Sequence, residues 1–122
     1  MIDSQQLLID TNSILEELFE WGALKWICND KVSPGALQTI GWCKIFPGKR
    51  NPLHYHPNCE ETLLVVRGRG RHSLNDQYLT LAPGMLLRVP SGVRHNFENC
   101  GADDLECLIT FSSGDRQTIF VQ

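Results

Sequence analysis

Residues 48–68 read GKRNPLHYHPNCEETLLVVRG and residues 84–99 read GMLLRVPSGVRHNFEN, and the reading of the whole chain turns on these two stretches. His54 and His56 are two apart, so on a strand both imidazoles point to the same face. The acidic pair Glu60-Glu61 follows and opens an apolar run. A third histidine, His95, comes after the tight Pro90-Ser91-Gly92 turn, on a separate strand. Three imidazoles with one carboxylate suit Fe, Mn, Ni, Cu or Zn, whereas Ca and Mg take oxygen ligands. Parity alone does not choose the carboxylate. Uninterrupted alternation from His54 places Glu60 on the shared face; Glu61 joins it only if Pro57-Asn58 makes a turn or bulge that resets the alternation.

Outward from this centre the chain is punctuated by turn residues. Strands are expected across 24–28, 36–46 (broken by Gly41), 52–56, 61–67, 69–74, 77–81, 86–89, 94–98, 104–111 and 117–121. Asn75-Asp76, Pro83-Gly84, Pro90-Ser91-Gly92 and Asn99-Cys100-Gly101 separate them. Many short strands at this spacing mean an antiparallel sandwich or barrel. One helix signal stands near the start. Ser13 and Glu16 form a capping box, Ile14, Leu15, Leu18 and Phe19 fall at helical spacing, and Gly22 stops the run. The expected organisation is a helical appendage over 1–22 and a β-barrel over 23–122.

Composition bounds the function. The chain has 122 residues, 42% of them hydrophobic, which suits one folded domain. Eleven Lys and Arg against fourteen Asp and Glu leave a net charge of −3. That argues against nucleic-acid binding and against a polybasic membrane patch. No apolar run approaches the roughly 20 residues that span a bilayer, and Met1 to Gln6 lack the features of a signal peptide, so a cytoplasmic protein is expected. Five cysteines, at 28, 43, 59, 100 and 107, form no C-x-x-C pair and are expected as free thiols. Cys28, Cys43 and Cys107 lie within expected strands and suit a core. Cys59, between the histidines and the glutamates, is weighed as an extra ligand and set aside because His and Glu already complete a site.

With these residues in hand the sequence resembles the cupin superfamily. The first cupin motif is matched by Gly48, His54, His56, Glu61 and Gly68, and the second by Gly84, Pro90, Gly92, His95 and Asn99. The resemblance implies an all-β, single-domain cupin-type antiparallel β-barrel of the jelly-roll kind. It implies His54, His56, Glu61 and His95 as ligands of one divalent transition metal per chain, Fe or Mn first, with Zn, Ni or Cu as alternatives, and Glu60 in reserve. It also implies a homodimer and a small-molecule substrate. The glycines are expected at turns needing positive φ or close backbone approach, and Asn99 is expected to tie a loop to backbone. Such a metal suggests first an enzyme of the dioxygenase type on a small oxygenated molecule, with Glu61 as ligand and, if released, general base. A redox-neutral lyase or isomerase and a non-catalytic binding module are the alternatives. Small cupin lyases with His-Tyr-His place a catalytic Tyr two residues after the Glu, where this chain has Leu63.

Around the metal, Leu63, Val65 and Phe97 are expected to face inward, together with either Cys43 and Ile45 or Trp42 and Phe46. The Arg67-Arg69-Arg71 stripe reads as a solvated strand face rather than an anion grip. Tyr55, between two inward histidines, points away from the site. His72 reads as a solvent-facing or hydrogen-bonded strand residue, and Trp21, Trp26 and Trp42 as packing or dimer contacts.

Overall fold

A computed structural model describes residues 1–122. The apolar periodicity takes effect as eleven strands: β1 (Glu17–Phe19), β2 (Gly22–Cys28), β3 (Thr39–Ile45), β4 (His54–Tyr55), β5 (Glu61–Arg67), β6 (Gly70–Leu74), β7 (Gln77–Leu81), β8 (Leu86–Val89), β9 (Phe97–Asn99), β10 (Leu105–Phe111) and β11 (Ile119–Phe120). One sheet has the order β1-β2-β3-β10-β5-β8, a second β7-β6-β9, and a third pairs β11 with β4. Every pairing is antiparallel. The result is an all-β jelly roll, the kind of barrel that the cupin resemblance implied and within the antiparallel sandwich-or-barrel class that the turn spacing implied.

Alternation selects the core. Along β3 and β10 each buried residue is followed by a half-buried one, so Cys43, Ile45, Leu105, Cys107, Ile109 and Phe111 share the inner face. Leu63 and Val65 of β5 join them, and Leu81 and Phe97 close the core from the second sheet. Cys43, not Trp42, therefore faces inward; Trp42 is half-buried and its indole N–H donates to Glu106 at 3.3 Å. Gly41 does not break β3. It makes room, since a Cβ there would stand 2.6 Å from the Trp26 ring.

The N-terminal segment corrects the sequence reading. Residues 14–21 are not helical. Asp10 caps a single 3-10 turn at Thr11–Ser13, and Glu17–Phe19 then pairs with Gly22–Leu24 as a hairpin. A run this short is marginal as an isolated helix, and the free edge of β2 offers a full ladder of backbone partners instead. Gly22 does not stop a helix but opens β2, where a Cβ would meet the Lys44 carbonyl oxygen at 1.9 Å. The one α-helix is a single turn at Ser4–Leu7 capped by Asp3.

Punctuation behaves as read. The four motif glycines all have positive φ; at Gly92 (φ 83°) this bends the chain just before His95. Asn99, 1% exposed, donates to the Ile45 and Asp103 carbonyls at 2.8 Å each and accepts from the Gly101 N–H at 2.9 Å. It thus locks the end of β3 to the loop before β10. Asn99→Ala strands these buried groups and is expected to cost about 2 kcal/mol or more of stability, read as a lower urea midpoint with an unchanged slope.

Candidate metal centre

The site is assembled by backbone pairing before any side chain is considered. His54 N–H donates to the His95 carbonyl at 3.1 Å and His95 N–H to the His54 carbonyl at 2.8 Å, an isolated antiparallel bridge. It brings the two motifs side by side, with ring centroids 4.3 Å apart. β4 stops at Tyr55, just before His56. Pro57-Asn58 is a bend, held by Asn58 donating to the Asp115 carbonyl and accepting from the Gln117 N–H, both at 2.9 Å. The bend resets the alternation, so Glu61 enters β5 facing inward at 4% exposure. Glu60 faces out and pairs with Arg88 at 2.8 Å.

The ligand atoms of His54, His56, Glu61 and His95 all lie within 4.8 Å of one another. Each imidazole has its Nδ1 against a backbone carbonyl: His54 on Pro52 at 2.7 Å, His56 on Gln117 at 2.9 Å and His95 on Val93 at 2.9 Å. A carbonyl only accepts, so Nδ1 carries the proton and the neutral ring offers a bare Nε2. The Nε2 of His95 lies 3.0 Å from Glu61 Oε1 and that of His56 3.4 Å from the same atom. The His56 contact has ion-pair distance without hydrogen-bond alignment, and its Nε2 is buried with no hydrogen-bond partner. A buried lone-pair nitrogen aimed at a carboxylate and two further imidazoles is a donor set that fits a transition metal.

Electrostatics fit the same arrangement. Burial would raise the Glu61 carboxyl, but the facing nitrogens of His56 and His95 outweigh it and hold the group well below the usual carboxylate range. Burial lowers His54 to about 4, helped by the His95 charge. Burial also acts to lower His95, yet the Glu61 carboxylate facing its Nε2 favours a second proton there when no metal takes the lone pair, and the net shift is upward.

A cavity of about 150 Å³ opens onto these four residues. Cys43, Leu63 and Phe97 line it as expected for inward neighbours, and Ile45 does too. Val65 is buried but lies beyond the lining. Cys59 is buried outside the ligand group. Trp21 and Trp26 pack against the core as expected and also form part of the cavity wall, with Phe19, Phe111 and Phe120. Of the two readings of His72 the hydrogen-bonded one holds and the solvent-facing one does not: at 1% exposure it stacks on His95 at 5.6 Å with the planes 10° apart, its Nδ1 on the Ser73 carbonyl. The signal was present, since Arg71 outside requires His72 inside. Arg67, Arg69 and Arg71 are exposed, and Arg71 lies 3.9 Å over Tyr78. Sequence reasoning missed Arg116, a half-buried side chain in the wall from the segment between β10 and β11.

Comparison with known proteins agrees with this fold. The Cupin domain family model matches residues 41–111. The chain belongs to the cupin family. It is 37% identical over 75 residues to Protein SchB of Streptomyces halstedii, covering 62% of this chain and 53% of that protein. It is 35% identical over 73 residues to Polyketide synthase CurC of Streptomyces cyaneus, covering 60% and 47%. The chain thus spans about half the length of these relatives. Among solved structures, oxalate decarboxylase of Lactobacillus farciminis, in its formate complex, superposes with a TM-score of 0.84 at 25% identity, over 90% of this chain and 34% of that one. Bacillus subtilis oxalate decarboxylase, described with Mn(II) centres, shares the fold at a TM-score of 0.82 and 21% identity, over 91% and 31%.

The buried histidines make the metal-free protein sensitive to acid. Burial lowers His54 and His72 from 6.5 to about 4, so between these values the unfolded chain takes up protons that the folded chain refuses. Their contribution, present above pH 6.5, is lost as pH falls toward 4. His95, shifted upward, opposes them, contributing below 6.5 and losing that contribution as pH rises. Two against one, the chelator-treated protein is expected to show a lower urea midpoint at pH 5 than at pH 7.5.

Proposed function

We propose that the protein is a mononuclear, metal-dependent enzyme acting on a small oxygenated organic molecule, with a dioxygenase-type reaction as the first reading. The observation that supports it is the convergence of three bare Nε2 atoms and one carboxylate at the floor of a largely apolar cavity. A divalent transition metal such as Mn or Fe fits this donor set, and would supply Lewis acidity and redox reach toward O₂. The protein contributes the rest. The three carbonyl-anchored rings keep their lone pairs turned to one point, and His72 stacks behind His95 to hold its plane. Glu61 is the one carboxylate in the cavity wall, and its place in the proposal is as ligand and, once released from both the metal and its two histidines, as general base at Oε1. The Trp21, Trp26, Phe111 and Phe120 rings exclude water from a compact substrate.

A redox-neutral reading, decarboxylation or a related elimination, is favoured by the likeness to the oxalate decarboxylase of Lactobacillus farciminis. The two readings part on oxygen: consumption of O₂ with turnover supports the first, and equal turnover under argon supports the second. A homodimer is also part of the proposal, since Leu18 and Phe19 on β1, and Leu15 just before it, remain exposed at a sheet edge. A light-scattering mass near the 13.8 kDa of one chain would rule it out.

The metal is tested directly. Protein purified without a metal-affinity tag is expected to hold about one equivalent of transition metal by elemental mass spectrometry, and His54→Ala or His95→Ala to lose most of it. A full equivalent retained in either variant would remove the site. Cys59→Ser is expected to keep its metal, because the thiol lies outside the ligand group.

A further inference from the structure

The cavity wall contains one charged group that the metal reading does not use. Arg116 is half-buried, its guanidinium 4.1 Å above the Trp26 ring and 5.3 Å from that of Phe111, and one of its nitrogens donates to Thr118 Oγ1. No carboxylate pairs with it; the ion pairs of this chain are made by Lys49, His56, Arg67, Arg88 and His95. Thr118 Oγ1 lies in turn 3.2 Å from His56 Nδ1, so the arginine and the metal ligands share one connected wall. Aromatic faces on two sides leave a planar fork with donors unspent. The rest of the lining is mostly apolar, and its only carboxylate, Glu61, is engaged by His56 and His95.

We infer that Arg116 is the substrate anchor, and that the substrate carries a carboxylate on a body about the size of one ring. The inference rests on the proposed reading of the cavity as a substrate site. The charge argument is that a guanidinium held among aromatic rings, with Glu61 and Glu17 acting on it only from beyond ion-pair distance, binds a carboxylate through two parallel hydrogen bonds. The size argument is that 150 Å³ matches a void that takes a benzene molecule. The Trp26 and Phe111 rings hold the guanidinium from its faces, so its unspent donors lie at the edge of the fork, on the wall it shares with His56 through Thr118.

Trp21 and Trp26 line the cavity, so their fluorescence reports occupancy without any turnover. The probes are benzoate and its neutral isostere benzamide, titrated into the full chain both after chelator treatment and loaded with Mn(II). Benzoate is expected to quench saturably and to bind about ten- to a hundredfold tighter than benzamide in both states. Arg116→Gln is expected to remove that preference while leaving benzamide binding within about twofold, which also shows the variant folded. Equal binding of the two probes by the wild-type chain, no saturable binding of benzoate, or an Arg116→Gln variant that keeps the preference would each overturn the anchor. If Arg116→Gln does not fold, the wild-type comparison of the two probes still decides. Failure of the chain to take up metal, with the benzoate preference intact, would sink the enzyme reading and leave the anion site standing.

Discussion

Two hydrogen bonds between the backbones of His54 and His95 carry more of this molecule's function than any side-chain contact. His54 lies on β4 and Glu61 on β5, in different sheets, and His56 and His95 lie outside the strands, so nothing in the six-stranded sheet alone would bring the four together. The reciprocal pair does so with main-chain geometry, which is short, directional and shielded in the interior. Once it forms, His54 and His95 face each other and His56 follows by alternation. Glu61 is delivered by the β5–β10 register, in which it sits opposite Phe111. The core beneath is ordinary jelly-roll packing, and its role is to keep these two sheets at a fixed separation.

The cavity holds opposed demands together. Apolar rings exclude water and strengthen every charge left inside, so each polar group there needs a partner or a purpose. Glu61 finds partners in two histidines, His72 in the Ser73 carbonyl, and Asn99, deeper in the core, in a backbone loop. His56 Nε2, which meets Glu61 at ion-pair distance but makes no hydrogen bond, and the unspent donors of Arg116 border the same space. That pattern, rather than the count of histidines, separates a site from a packed polar cluster.

Much of this was legible in the order of residues. Strands β5 and β10 alternate so strictly that their inner faces follow from parity, and the motif spacing singles out Glu61 over its neighbour where parity could not; β3 left two faces open until its pairing with β10 set Cys43 beside Cys107. The bend at Pro57-Asn58 that reconciles the two depends on contacts with residues 115–117, which lie far along the chain. The N-terminal hairpin was illegible for a related reason: its capping pattern is local, while its actual partner is the edge of β2. Arg116 escaped because a turn segment has no periodicity to show which way a side chain points. Its position is set by Trp26, which is set in turn by the missing side chain of Gly41.

The groups that orient the three metal-facing imidazoles are the carbonyls of Pro52, Val93 and Gln117. Main-chain oxygens are present whatever residue occupies those positions. The tautomer of each ring is therefore immune to point substitution of its orienting partner, unlike a site whose histidines lean on an aspartate. Only a change in the path of the chain can unseat it. Such a centre tolerates drift in the residues around it, and leaves the cavity wall free to be rebuilt for other substrates while the ligand floor stays in place.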